Sequence, residues 1–98
     1  MQEGMELMER IADRVNMKKE DLVRAGVGTF LLEKKKEYLQ ERFEILSKYN
    51  VFSTDELREK IKAGEVAEHP TWEELIEIKN IETQLRELED DIENLQRP

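Results

Sequence analysis

Apolar residues recur along most of this chain at three- and four-residue spacing, the period of an α-helix, and the pattern predicts an all-α fold. Met5, Leu7, Met8, Ile11, Ala12 and Val15 form one stripe, with Glu6, Glu9, Arg10, Asp13 and Arg14 outside it, which predicts a short helix over about 5–15. Asn16-Met17-Lys18 interrupts the pattern. Lys19-Glu20-Asp21 then opens a second helix, placing acidic groups where the helix macrodipole favours them. This corner, over 5–30, has the spacing of a helix-turn-helix.

The second helix is expected over about 19–49. Its stripe consists of Leu31/Leu32, Tyr38/Leu39, Phe43, Ile45/Leu46 and Tyr49, and Lys34, Lys35, Lys36, Glu37, Gln40, Glu41, Arg42 and Glu44 cover most of the rest. Ala25-Gly26-Val27-Gly28-Thr29 lies inside it. Two glycines cost about 2 kcal/mol against alanine in a helix interior. Either the helix breaks between Gly26 and Thr29, or the missing side chains let another helix approach closely. A phosphate-binding loop does not fit, because no strand precedes these glycines and no third glycine follows at the required spacing.

Two helix starts carry the residues of a capping box. Ser53 with Glu56 opens a short helix over about 54–63, and Phe52 and Leu57 occupy the positions of a hydrophobic staple. Thr71 with Glu74 opens a long one, with Pro70 fixing the entry. In that last helix, about 71–96, Ile78, Ile81, Leu85, Leu88, Ile92 and Leu95 follow the alternating spacing of a coiled-coil seam. At 1.5 Å per residue it is roughly 39 Å long, whereas a compact globule of this chain length is only about 32 Å across. The seam therefore needs cover from the second helix, from another copy or from another protein. The economical arrangement pairs the two long helices antiparallel within a single domain, 1–98, and leaves a thin core. A homodimer through the seam from Ile78 to Leu95 is the expected completion.

Charge changes the picture next. Residues 1–50 hold ten Lys/Arg and ten Asp/Glu, whereas residues 51–98 hold six and fourteen, so the whole net charge of −8 lies in the second half. An acidic half repels phosphates, which argues against nucleic acid as a ligand and for a basic protein partner. Glu82, Glu89 and Glu93 are the carboxylates expected to steer such a partner. Lys18, Lys19 and Arg24 are the only basic residues near the helix that would read DNA, and Glu20 and Asp21 sit among them.

Candidate chemistry is sparse. The chain has no cysteine, which removes disulfides, thiol catalysis and Cys-based zinc sites and fits a reducing cytoplasm. No secretory signal or membrane-length apolar run is visible. The single histidine, His69, lacks the Glu-x-x-His or His-Glu-x-x-His setting of a metal site. Ser47 and Ser53 are the only serines, and Ser53 is assigned to capping. Glu89, Asp90, Asp91 and Glu93 are placed on solvent faces, the setting of a solvated helix surface and not of an acid–base pair. The expectation is a cytoplasmic, non-enzymatic protein without metal or cofactor and without a membrane span.

Ile11-Ala12-Asp13-Arg14-Val15, Lys19-Glu20-Asp21-Leu22, the charged helix ending in Lys48-Tyr49-Asn50-Val51, and Glu68-His69-Pro70-Thr71-Trp72-Glu73-Glu74-Leu75 together resemble the small helical proteins encoded beside toxins in prokaryotic toxin–antitoxin pairs. The resemblance spans most of the chain and implies an acidic antitoxin that wraps a basic toxin with helical segments. No ribbon strand precedes the corner, a departure from the commonest antitoxins. The alternative is a self-assembling structural helical protein with no toxin partner.

Overall fold

The computed structural model describes residues 2–97, with side chains from Gly4 onward. The domain limits expected at Met1 and Pro98 lie outside the described residues. Four helices follow one another: α1 (Gln2–Arg14), α2 (Lys19–Lys48), α3 (Thr54–Lys62) and α4 (Glu68–Gln96). α2 and α4 pack along each other, α3 packs on α4, and α1 packs on α2. The long helices are antiparallel, because cross-contacts descend α4 as they ascend α2: Arg24 to Arg97, Arg42 to Glu82 and Lys48 to Glu74. The product is a slab of 61 × 25 × 19 Å with a radius of gyration of 19.9 Å, well above the roughly 13 Å of a compact chain this long.

Three helix ends share one device. Asn16 (φ 57°), Asn50 (φ 54°) and Gly64 (φ 73°) adopt left-handed backbone. In each case the following amide reaches five residues back, from Met17 to Ala12, Val51 to Leu46 and Glu65 to Lys60. This is the Schellman arrangement, which satisfies carbonyls that a helix end would otherwise leave unpaired. At the first two ends it also buries an apolar pair: Val51 and Leu46 are both buried, and Met17 is half-buried beside the buried Ala12. Lys60 adds a 2.8 Å bond from its ammonium to the Tyr49 carbonyl, tying α3 to the end of α2.

The glycines do not break α2, which is continuous through Gly26 and Gly28. Of the two arrangements open in the sequence, close approach is realised. A Cβ on Gly28 would lie 3.5 Å from the Leu95 side chain, and one on Gly26 would meet nothing. The start of α2 is therefore one end of a 30-residue rod rather than a separate short reading helix.

The α3 cap forms as expected, with the Glu56 amide donating to Ser53 Oγ at 3.1 Å. The Glu56 carboxylate reaches one residue further back than a standard box and accepts from the Phe52 amide at 3.1 Å. The staple is not made, because Leu57 is buried against α4 while Phe52 is 85% exposed. The second expected box is also absent. His69 has extended backbone (φ −118°, ψ 134°), so regular helix resumes at Pro70 and Thr71 lies inside the first turn. Thr71 thus cannot act as N-cap, and the Glu74 carboxylate is used elsewhere.

The core fills one end of the slab. Ile45, Leu46, Val51, Leu57, Leu75, Ile78, Ile81 and Leu85 form its buried cluster, with Tyr38, Tyr49 and Ile61 packed around it. Toward the other end, Leu31, Ile92 and Leu95 are only half-buried. The residues that α2 turns toward α4 are Gly28, Leu31, Lys35, Tyr38, Arg42, Ile45 and Tyr49, again a coiled-coil spacing. Lys35 and Arg42 are rungs of that seam and pair with Glu89 and Glu82.

The left-handed end of α2 gives a direct test. Asn50→Ala keeps the β-carbon but loses the short polar side chain that makes asparagine tolerant of this conformation, and should cost about 1 kcal/mol in urea unfolding, while Asn50→Gly, which removes the β-carbon, should be neutral or slightly stabilising. Ser53→Ala should cost about 1 kcal/mol through the lost cap.

Candidate interaction site

The seam of α4 is closed within one chain. Ile78, Ile81, Leu85 and Leu88 are buried against α2, and Ile92 and Leu95 are half-buried beside its first half. Ile78, Ile81, Leu85 and Leu88 are therefore core of the single chain, and Ile92 and Leu95 are partly covered by α2. The physical reason is that α2 supplies a facing seam of matching period, which the polar identity of Lys35 and Arg42 conceals in the sequence.

Polar ties lock the two helices. Glu82 accepts from Arg42 Nε at 3.2 Å and from Thr54 Oγ1 at 2.9 Å, joining α2, α3 and α4. Glu74 accepts from Lys48 Nζ at 2.9 Å and from Tyr49 Oη at 2.7 Å. These two donors hold the Glu74 carboxyl below its ordinary 4.5, with Lys48 the larger influence, while desolvation opposes them. Burial pushes the Tyr49 phenol up. Thr71, almost fully buried, lies beside that phenol. Thr71 and Glu74 thus act in the α2–α4 contact and not as a cap.

The carboxylates expected to steer a partner are largely engaged. Glu82 holds Arg42, Glu89 lies 3.8 Å from Lys35, and Glu93 lies 3.1 Å from Arg97. By contrast, Glu77, Glu87, Asp90 and Asp91 are exposed on α4 and have no ion-pair partner among the described residues.

Two apolar surfaces remain open. On α1, Leu7, Ile11 and Val15 stay exposed, and Ala12 is the one buried residue of its stripe. On α2, Leu32, Leu39 and Phe43 lie beside the seam and are exposed. This second surface ends in a recess of about 280 Å³ at the α2–α3 corner, with Phe43 and Phe52 as walls, Leu46 and Val51 as floor, and Arg42, Ser47 and Asn50 at the rim. In the sequence these residues and those of the seam form a single stripe. The doublets Leu31/Leu32, Tyr38/Leu39 and Ile45/Leu46, repeating every seven residues, are the signal that two lines run along α2.

His69 lies on the surface, its Nδ1 2.7 Å from Glu73 Oε1, and this bond holds the Glu73 carboxyl below its ordinary value. No group of three potential metal-ligating side chains occurs among the described residues. No helix among them is long and apolar enough to cross a membrane.

Residues 1–97 match the model of the uncharacterized protein MJ0235 family, and the chain belongs to that family. No curated protein matches it, and no solved structure does. The family description names no substrate, partner or toxin, so the functional reading rests on the surfaces just described.

Glu74 generates an acid-side expectation. Because folding lowers its pKa, its contribution is fully present above its unfolded value near 4.5 and is lost as pH falls through the folded value. The melting temperature should therefore fall more steeply in the wild type than in Glu74→Gln on going from about pH 5 to about pH 3. The seam yields a second expectation. Leu85→Glu or Leu88→Glu should destabilise the fold by about 3 kcal/mol or more, with helical signal lost on mild heating, instead of releasing folded monomers.

Proposed function

We propose that this member of the MJ0235 family is a non-enzymatic protein–protein interaction module, and that its hetero-partner is a basic protein, as in the antitoxin resemblance. The observation that carries the reading is the acidic edge of α4, where Glu77, Glu87, Asp90 and Asp91 have no cation in ion-pair range among the described residues. A surface of one charge sign accelerates encounter with a surface of the opposite sign and repels phosphate backbones. The open apolar side chains of α1, Leu7, Ile11 and Val15, supply contact area that charge alone does not.

Co-expression with the product of an adjacent reading frame tests the reading, with duplex DNA and RNA as competing ligands. Binding to a small basic protein should be salt-sensitive. The triple variant Glu87→Gln, Asp90→Asn, Asp91→Asn should slow association at low salt several-fold and change dissociation little. Sub-micromolar binding to duplex nucleic acid, with none to the adjacent protein, would overturn it.

A further inference from the structure

α2 carries two lines of residues at coiled-coil spacing, offset by one position. The first faces α4. The second is Leu32, Lys36, Leu39, Phe43 and Leu46, and one residue is about 100° of helix, so this line looks out roughly at a right angle to α4. A helix with two such lines is built to pack in two directions, and only one is filled. Leu32, Leu39 and Phe43 are 54%, 46% and 62% exposed, while Leu46 forms the floor between them and the corner recess.

We propose that this second line is a dimer interface whose occupant is the same line of a second copy, with the two α2 helices parallel about a two-fold axis running along them. It gives the interaction module an assembly face distinct from its acidic edge on α4.

Area supports a second copy. The chain exposes 7546 Å², whereas a compact monomer of its mass exposes about 5,900 Å². The excess is about twice the roughly 800 Å² that each partner contributes to a stable interface.

Charge selects the orientation. On the α4 side of the second line lie Lys79 and Arg86, which have no carboxylate partner among the described residues. Arg86 shares a groove with Leu39 and with Glu82, whose charge Arg42 already balances, so Lys79 and Arg86 are the uncompensated charges here. On the opposite side α2 presents Glu33 and Glu44, together with Glu37, which lies 3.3 Å from Lys34. Arg42 is level with Glu82 in the antiparallel pair, so Lys79 is level with Ile45 and Arg86 with Tyr38. A parallel two-fold turns the basic edge of each copy toward the acidic flank of the other, bringing Lys79 to Glu44 and Arg86 to the level of the Lys34–Glu37 pair. An antiparallel two-fold instead sets basic edge against basic edge and acidic flank against acidic flank. Lys36 is the one charged rung. Its stem can cover apolar surface while its ammonium reaches the acidic flank, and a single lysine in such a seam favours one register at some cost in stability.

The chain lacks cysteine, so single-cysteine variants report the pairing directly. On mild oxidation, Lys36→Cys and Phe43→Cys should each give a disulfide-linked dimer, because a parallel two-fold brings every rung opposite itself. Phe43→Glu should raise the dimer dissociation constant about 100-fold by light scattering, with helical content unchanged because Phe43 is exposed. Lys79→Glu should weaken the dimer about tenfold, and adding Glu44→Lys should restore it. A wild-type monomer at millimolar concentration would overturn the proposal. So would an unchanged dimer in Phe43→Glu, or cross-linking confined to Leu39→Cys, the pattern of an antiparallel pair. Binding of a basic protein by Phe43→Glu separates the two readings, since loss of the dimer leaves the α4 edge intact.

Discussion

Two helices lying side by side can cover only one stripe of each other, and the architecture of this protein follows from that constraint. α4 commits its whole apolar seam to α2, and the fully buried Leu75 and Ile78 are each worth about 1.5–3 kcal/mol in transfer terms. α2 answers with a seam that is only partly apolar. Lys35 and Arg42 occupy rungs where a leucine would be expected and meet Glu89 and Glu82 instead. Such part-exposed ion pairs contribute little to stability. Their consequence is register: each fixes which residue of α4 stands opposite α2, and the Arg42–Glu82–Thr54 cluster extends that register to α3.

Stability is unevenly spread along the slab. At the α2–α3 corner, two left-handed helix ends, the Lys60 bond to the Tyr49 carbonyl, the Glu74 tie and the buried cluster all coincide. At the far end, the first half of α2, the last turns of α4 and all of α1 share a sparse core. Low density of buried apolar contact is the condition for local opening, so protection from amide exchange should be graded from the corner outward. The surfaces able to accept partners are those the hairpin cannot reach: the outer line of α2, the stripe of α1 and the acidic edge of α4.

Much of the fold is legible in the sequence because long amphipathic helices announce themselves. The period of α4, the capping of α3 by Ser53 and the interruption after Val15 all correspond to observed elements. The partner of the α4 seam is not legible, because a pattern of apolar residues records what needs cover and not what provides it. Lys35 and Arg42 read as solvent-facing charges, and only tertiary pairing reveals them as rungs. The same polar bias merged two lines of α2 into one and hid the open surface. Thr71-Glu74 shows a different limit. Its residues fit a capping box, but the extended backbone at His69 starts the helix two residues earlier than a Thr71 cap would and frees the Glu74 carboxylate to accept from Tyr49 and Lys48.

The central claim is that the α4 seam is satisfied inside one chain while the outer line of α2 faces a second copy. Isotope-filtered nuclear Overhauser spectroscopy on an equal mixture of labelled and unlabelled protein separates contacts within a chain from contacts between chains. Cross-peaks between chains should involve Leu32, Leu39 and Phe43, and the cross-peaks of Ile78, Ile81, Leu85 and Leu88 to α2 should all arise within one chain. Cross-peaks between chains from Ile78 through Leu88 would contradict the account.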